Sequence, residues 1–151
     1  MRIAEGGLDD PRVQALVGPH QRLAREATAE GFAFALDLSG LRAPGIRFFS
    51  AWEGETLLGV GALKRLSADN GEVKSMHTAQ AARRRGVGVA MLRHILDEAR
   101  AMDLARVSLE TGTSAYFAGA VAMYLREGFV DCPPFGDYAA SAENRFLTRQ
   151  L

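Results

Sequence analysis

Apolar residues recur at helical spacing in one long stretch and in short alternating or continuous runs elsewhere, a pattern that predicts both helices and strands. From Gly86 to Met102, the residues Val87, Met91, Leu92, Ile95, Leu96, Ala99 and Met102 share one half of a helical wheel. Arg93, Asp97 and Arg100 hold the other half, so this segment reads as an amphipathic helix lying on a sheet. Ile46–Trp52 and Thr56–Lys64 read as two antiparallel strands joined at Glu53-Gly54-Glu55, with the glycine supplying a tight turn. Further strands are expected at Arg2–Glu5, at Gly71–Thr78 after the turn signal Asp69-Asn70-Gly71, at Arg106–Glu110, from Phe129 onward, and at Asn144–Leu151. A second helix is expected over Phe117–Glu127, closed by Gly128.

Two stretches are less regular. Pro11–Glu30 is rich in alanine, leucine, arginine and glutamate and reads as helix, but Gly18-Pro19 should divide it into two short helices, because proline cannot continue the hydrogen-bond ladder. Gly31–Gly45, with its glycines, Pro44 and spaced Phe32, Phe34, Leu36, Leu38 and Leu41, is expected to form a loop partly tucked onto the body. A hairpin followed by strand, helix, strand, helix and strand implies an α/β (α+β) chain with a mixed sheet and helices on its faces. The two halves of that sheet should meet near Thr78.

Composition narrows the class. With 151 residues, 48% of them hydrophobic, the chain can bury one real core and is too short for two ordinary domains, so residues 1–151 are expected to form a single domain. Eighteen lysines and arginines balance eighteen aspartates and glutamates, which leaves no overall field to attract nucleic acid or an anionic membrane. The single cysteine, Cys132, excludes an intramolecular disulfide, and His20, His77 and His94 are too scattered for a recognised metal site. A reducing cytoplasm and no structural metal are the simplest expectation. No apolar run of signal-peptide length follows Met1, and nowhere do eighteen apolar residues stand together, so a soluble, unprocessed protein is expected. Assembly as a homodimer stays open.

The charge is concentrated at one place, Arg83-Arg84-Arg85-Gly86-Val87-Gly88-Val89-Ala90, which opens the amphipathic helix. The first turn of a helix carries backbone N–H groups without internal partners and the positive end of the macrodipole, so it is an anion site. Gly86 lets the chain turn and lets an anion approach the backbone, while the arginines add charge-assisted hydrogen bonds; a pyrophosphate suits this chemistry. Gly88 sits within the apolar stripe and is expected to let the helix approach the sheet closely. A dinucleotide fingerprint would follow the first strand, and a phosphate-binding P-loop would continue into lysine and serine or threonine; neither holds here. The plain alternative is a solvated arginine run beside a turn, which places cations where the helix dipole repels them unless an anion is bound.

Arg83, Gly86 and Gly88 meet the pattern Gln or Arg, two residues, Gly, any residue, Gly or Ala, and the segment resembles the central motif of the GNAT superfamily of N-acetyltransferases. The helix from Ala120 through Tyr124 to Gly128-Phe129 resembles the family's tyrosine-containing helix ending in Gly-Phe. Glu72-Val73-Lys74-Ser75-Met76, Leu109-Glu110-Thr111-Gly112 and Pro134-Phe135-Gly136-Asp137-Tyr138 resemble a branch of small bacterial members. The resemblance spans nearly the whole chain in element order. It implies a mostly antiparallel central sheet of six to seven strands flanked by about four helices, and acetyl-CoA as co-substrate. The CoA site it implies comprises main-chain groups of Met76, His77 and Thr78 together with Arg83, Arg84, Arg85, Gly86, Val87, Gly88 and Val89. One departure is Phe117, which stands seven residues before Tyr124 where many members carry asparagine.

Attack on an acetyl thioester needs a neutral amine, and deprotonating a lysine-like amine of pKa ~10.4 at neutral pH costs roughly 4–5 kcal/mol. A general base relieves that cost. Glu72, on the strand leading into the CoA loop, is the first choice by resemblance; read plainly, it is a surface glutamate balanced by Lys74. Glu110, at the end of the next strand where the two strands should part, is the second; read plainly, it accepts hydrogen bonds from loop N–H groups. The resemblance implies a backbone N–H at Met76 for the developing oxyanion and the phenol of Tyr124 for the departing thiolate, although Tyr124 also fits a plain core position. His77 is a weaker base candidate. The acceptor, expected to be the primary amine of a small metabolite, should meet the N-terminal helices, the Gly31–Gly45 loop and the Asp131–Tyr138 segment, with His20, Asp137 and Tyr138 as contacts. The competing function is a non-catalytic acyl-CoA-binding or regulatory module.

Overall fold

The structure, a computed structural model, describes residues 1–26 and 38–151, and of residues 19–26 the backbone alone. The elements run β1 (Arg2–Glu5), α1 (Pro11–Glu26), α2 (Leu38–Leu41), β2 (Ile46–Glu53), β3 (Thr56–Arg65), β4 (Asn70–Thr78), α3 (Val87–Ala101), β5 (Arg106–Gly112), α4 (Ala118–Arg126), β6 (Val130–Asp131) and β7 (Asn144–Gln150). The seven strands form one sheet in the order β1-β2-β3-β4-β5-β7-β6. Every neighbouring pair is antiparallel except β4 with β5, which is parallel. The mixed, mostly antiparallel sheet read from the sequence is therefore the observed one.

Strand alternation sorts the side chains onto two faces. On one, Val87, Met91, Leu92 and Ile95 of α3 and Tyr124 of α4 pack with Phe49, Leu63, Val73, Leu109 and Leu147. On the other, Val13 and Val17 of α1 and Leu41 of α2 pack with Phe48, Val60 and Ala62. All of the expected stripe of α3 up to Ala99 is buried. Among the described residues, no helix is long and apolar enough to cross a membrane.

Three expectations need correction. Helix α1 runs unbroken through Gly18-Pro19. Pro19 removes one N–H from the ladder, whereas two separate helices would expose four N–H and four C=O groups at the new ends, and Val13 and Val17 already anchor one packed face. The expected loop Gly31–Gly45 contains the short helix α2, whose Leu41 is buried; residues 31–37, like residues 27–30 of the expected N-terminal helix, lie outside the described residues. After Phe129 only Val130–Asp131 pairs as a strand. Pro133 and Pro134 follow almost at once and have no N–H to extend the ladder.

Candidate functional site

Strands β4 and β5 pair only at Asn70↔Arg106, Gly71↔Val107 and Glu72↔Ser108. Beyond Glu72, β4 stays with β3 as far as Thr78 while β5 stays with β7 as far as Gly112, and the sheet opens between them. A bulge lies at this divergence. The β3–β4 register shifts between Val60 and Ala62, so Gly61 faces both Ser75 and Met76, and Ser75 takes the left-handed conformation at φ 56°. An extra residue bends its strand, which turns β4 away from β5.

Into the opening leads a cavity of about 590 Å³. Met76, His77 and Thr78 of β4 line one side, Arg83, Arg84, Gly86, Val87, Gly88 and Val89 another, and Phe117, Met123 and Tyr124 a third. The structure thus gathers the strand end, the loop and the tyrosine helix that the sequence singled out. Gly86 caps α3 at φ 78° with no side-chain hydrogen bond to the first turn, leaving the leading N–H groups of the helix to a ligand. Arg85 is not part of the lining. It turns to the β2–β3 hairpin, where its Nη2 lies 3.0 Å from Glu53 Oε2. Of the arginine run, Arg83 and Arg84 therefore line the cavity, and Arg126 of α4 is a further cation in its wall.

The role expected of Gly88 is shared differently. A β-carbon on Gly88 would lie 3.2 Å from Met123 Sδ and 3.7 Å from Thr78 Oγ1, so its smallness first serves the approach of α4. The close approach of α3 to the sheet rests on two glycines of β3 that sequence reasoning passed over. A β-carbon on Gly59 would lie 3.0 Å from Val87 Cγ1, and one on Gly61 2.9 Å from both Ile95 Cδ1 and Met91 Cγ. Their signal was present as two glycines in the apolar run Leu57-Leu58-Gly59-Val60-Gly61-Ala62.

Tyr124 is 6% exposed and faces the cavity, with its ring 5.7 Å from that of Phe129. Burial pushes its phenol above the usual value, so the group holds its proton throughout the physiological range. Phe117 covers Gly112 and stands edge-on to Tyr116 at 4.8 Å, giving this wall an apolar surface in place of an amide.

Neither carboxylate lines the cavity. Glu72 and Lys74 alternate with the core residue Val73, and Glu110 follows the core residue Leu109, which puts all three on the sheet face opposite α3 and α4. Glu72 is 3% exposed. Its Oε2 accepts from Lys74 Nζ at 3.1 Å and from the Tyr138 hydroxyl at 2.7 Å. Glu110 differs: its Oε2 is buried with no hydrogen-bond partner. Burial pushes its carboxyl up to about 7, with Lys74 pulling it down and Glu72 pushing it up. Phe146 stands opposite Glu110 in register, and the ring of Tyr138 lies 5.8 Å from that of Phe146. His77 lies in the cavity wall, and the side chain of His20 lies outside the described residues.

The arrangement suits a thioester ligand. Free N–H groups and arginines are the donors that a pyrophosphate takes, and the apolar wall is of the kind that packs on an extended arm. Comparison with known proteins agrees. Residues 15–129 match the model of the acetyltransferase (GNAT) family. The uncharacterized N-acetyltransferase YedL of Escherichia coli is 47% identical over 149 residues, spanning 99% of this chain and 94% of that protein. The uncharacterized N-acetyltransferase YsnE of Bacillus subtilis is 40% identical over the full length of both chains. An IAA acetyltransferase of Azospirillum brasilense is 39% identical over 77% of this chain and 75% of its own. Among solved structures, Rv2747 of Mycobacterium tuberculosis in complex with CoA and NLQ superposes with a TM-score of 0.73 at 20% identity, over 100% of this chain and 99% of that one. A GNAT family acetyltransferase from Elizabethkingia anophelis with acetyl-CoA bound gives 0.70 at 16% identity, over 99% and 97%. This chain belongs to the GNAT family and is an acetyltransferase.

Proposed function

We propose that this chain is a cytoplasmic acetyl-CoA-dependent N-acetyltransferase that acts as one domain and moves the acetyl group to the primary amine of a small metabolite by direct attack. Acetyl-CoA occupies the cavity, its pyrophosphate on Arg83, Arg84 and the first turn of α3, its pantetheine arm along Met76, His77 and Thr78. The acceptor enters from the opposite face of the sheet, where α1 and the segment 132–143 lie. The observation that carries the reading is Glu110 at the parting of β4 and β5, with an unpartnered buried oxygen and a carboxyl near neutrality.

Both carboxylates were candidates for the base, and the hydrogen bonds favour Glu110 over Glu72. A base must accept a proton from the amine, and Glu72 Oε2 already accepts from Lys74 and Tyr138. With its carboxyl pushed up to about 7 by burial, Glu110 holds a proton far better than a surface glutamate. The amine nitrogen bonds to the acetyl carbon, its proton passes to Glu110, the carbon–sulfur bond breaks, and the sulfur takes a proton from Tyr124. The Met76 N–H supplies the hydrogen bond to the carbonyl oxygen as charge develops there.

Thiol release from acetyl-CoA, measured across a panel of primary amines with wild type and Glu110→Gln, tests the reading. We expect release with at least one amine and a loss of at least about a hundredfold in the variant. Release at the wild-type rate in Glu110→Gln would overturn the base assignment, and release with no amine would favour a binding module.

A further inference from the structure

We infer that Lys74 and Tyr138 are positioning residues for the Glu110 carboxylate, acting together with Glu72 as a closed trio that fixes one positive and one negative charge beside it. The inference rests on the reading of Glu110 as the base.

The trio is a triangle of hydrogen bonds. Lys74 Nζ reaches Glu72 Oε2 at 3.1 Å and the Tyr138 oxygen at 2.9 Å, and the Tyr138 hydroxyl donates to the same Glu72 oxygen at 2.7 Å. Both charged side chains are nearly buried, at 9% and 4% exposure. A buried ion pair holds its place only when its geometry is good and its remaining polar atoms are satisfied, and the phenol serves both partners at once. Tyr138 arrives from the segment between β6 and β7, where its ring packs 5.3 Å from Phe135 and 5.8 Å from Phe146. Phe146 is the register partner of Glu110, so the aromatic packing sets Tyr138 beside Glu110 while its hydroxyl grips β4.

The two charges act on Glu110 in opposite directions. Lys74 favours its ionised form and Glu72 disfavours it. Among the described residues these two from β4, with Tyr138 from the segment between β6 and β7, are the titratable groups that act on it; on β7 its opposite number is the uncharged Phe146.

The test reads Glu110 directly. In protein labelled with carboxyl-13C glutamate, the Glu110 signal is assigned by its absence in Glu110→Gln, and its titration is followed in the full chain. We expect the Glu110 midpoint to rise by about one pH unit in Lys74→Met, to fall by a similar amount in Glu72→Gln, and to stay near wild type in Lys74→Arg. Tyr138→Phe, which keeps the ring packing and removes the hydroxyl, should move it in the direction of Lys74→Met by a smaller step. The acid limb of kcat/KM with an amine that supports thiol release should follow the same order. Midpoints that stay unmoved, or that move the same way in Lys74→Met and Glu72→Gln, would overturn the inference. If Lys74→Met fails to fold, the fall in Glu72→Gln and the rise in Tyr138→Phe carry the test alone. Midpoints that shift as expected while Glu110→Gln keeps full activity would instead sink the assignment of Glu110 as base.

Discussion

The ring of Phe117 lies on Gly112, the last residue of β5, so closely that a β-carbon there would overlap it. Glycine is thus required by space. Gly112→Ala should cost about 1–3 kcal/mol of stability, as other overpacked sites do, and should push Phe117 into the cavity and weaken acetyl-CoA binding. Urea unfolding with and without acetyl-CoA measures both effects. Adding Phe117→Ala should recover most of the stability, and a double variant no more stable than Gly112→Ala would show that the ring is not the cause.

Gly86 presents the opposite case, since nothing lies within 4 Å of a β-carbon there and only its φ of +78° opposes a side chain. Gly86→Ala should therefore cost about 1–2 kcal/mol and keep part of the acetyl-CoA response. Gly86→Glu adds a carboxylate at the N-terminus of α3, where it competes with the pyrophosphate. We expect the rise in melting temperature with acetyl-CoA to vanish in Gly86→Glu, and a wild-type rise would sink the loop as the anion site.

Tyr124→Phe keeps the ring against Phe129 and removes only the hydroxyl. Turnover should fall by about a hundredfold while the dissociation constant for acetyl-CoA changes little. Steady-state kinetics beside a binding titration separates the two, and a wild-type kcat would mean that the leaving thiolate needs no proton from this residue.

Glu110 links stability to pH. Its carboxyl stands near 4.5 when unperturbed and is pushed up to about 7 in the fold, so between those values the folded chain keeps a proton that the unfolded chain gives up. Its contribution to stability is full below about 4.5 and is lost as pH rises through 7. Glu110→Gln removes this titration. The melting temperature of the variant relative to wild type should climb between pH 5 and pH 8 and level off above, and a difference that stays constant across that range would contradict a raised carboxyl.

Much of this was legible along the chain. The stripe of α3, the β2–β3 hairpin and the glycine at the helix start depend on neighbours within a turn or two, and each stands where its pattern puts it. The break expected at Gly18-Pro19 did not occur, because a propensity rule counts one lost hydrogen bond and not the two helix ends that a break would expose. The strand expected after Phe129 ended early for a local reason that was in view, the pair Pro133-Pro134.

By itself, then, the sequence determined the order of elements, the family and the arginine-glycine segment that opens α3, since periodicity, turn chemistry and a helix N-terminus are properties of contiguous residues. Only the tertiary structure decided which arginines of the run face the cavity and which carboxylate keeps a buried oxygen without a hydrogen bond. Arg85 is drawn away by Glu53, 32 positions earlier, and Glu72 is claimed by Tyr138, 66 positions later. Desolvation and charge pairing depend on distances across the fold, and those distances are set by the bulge in β4 and the packing of Tyr138 on Phe146.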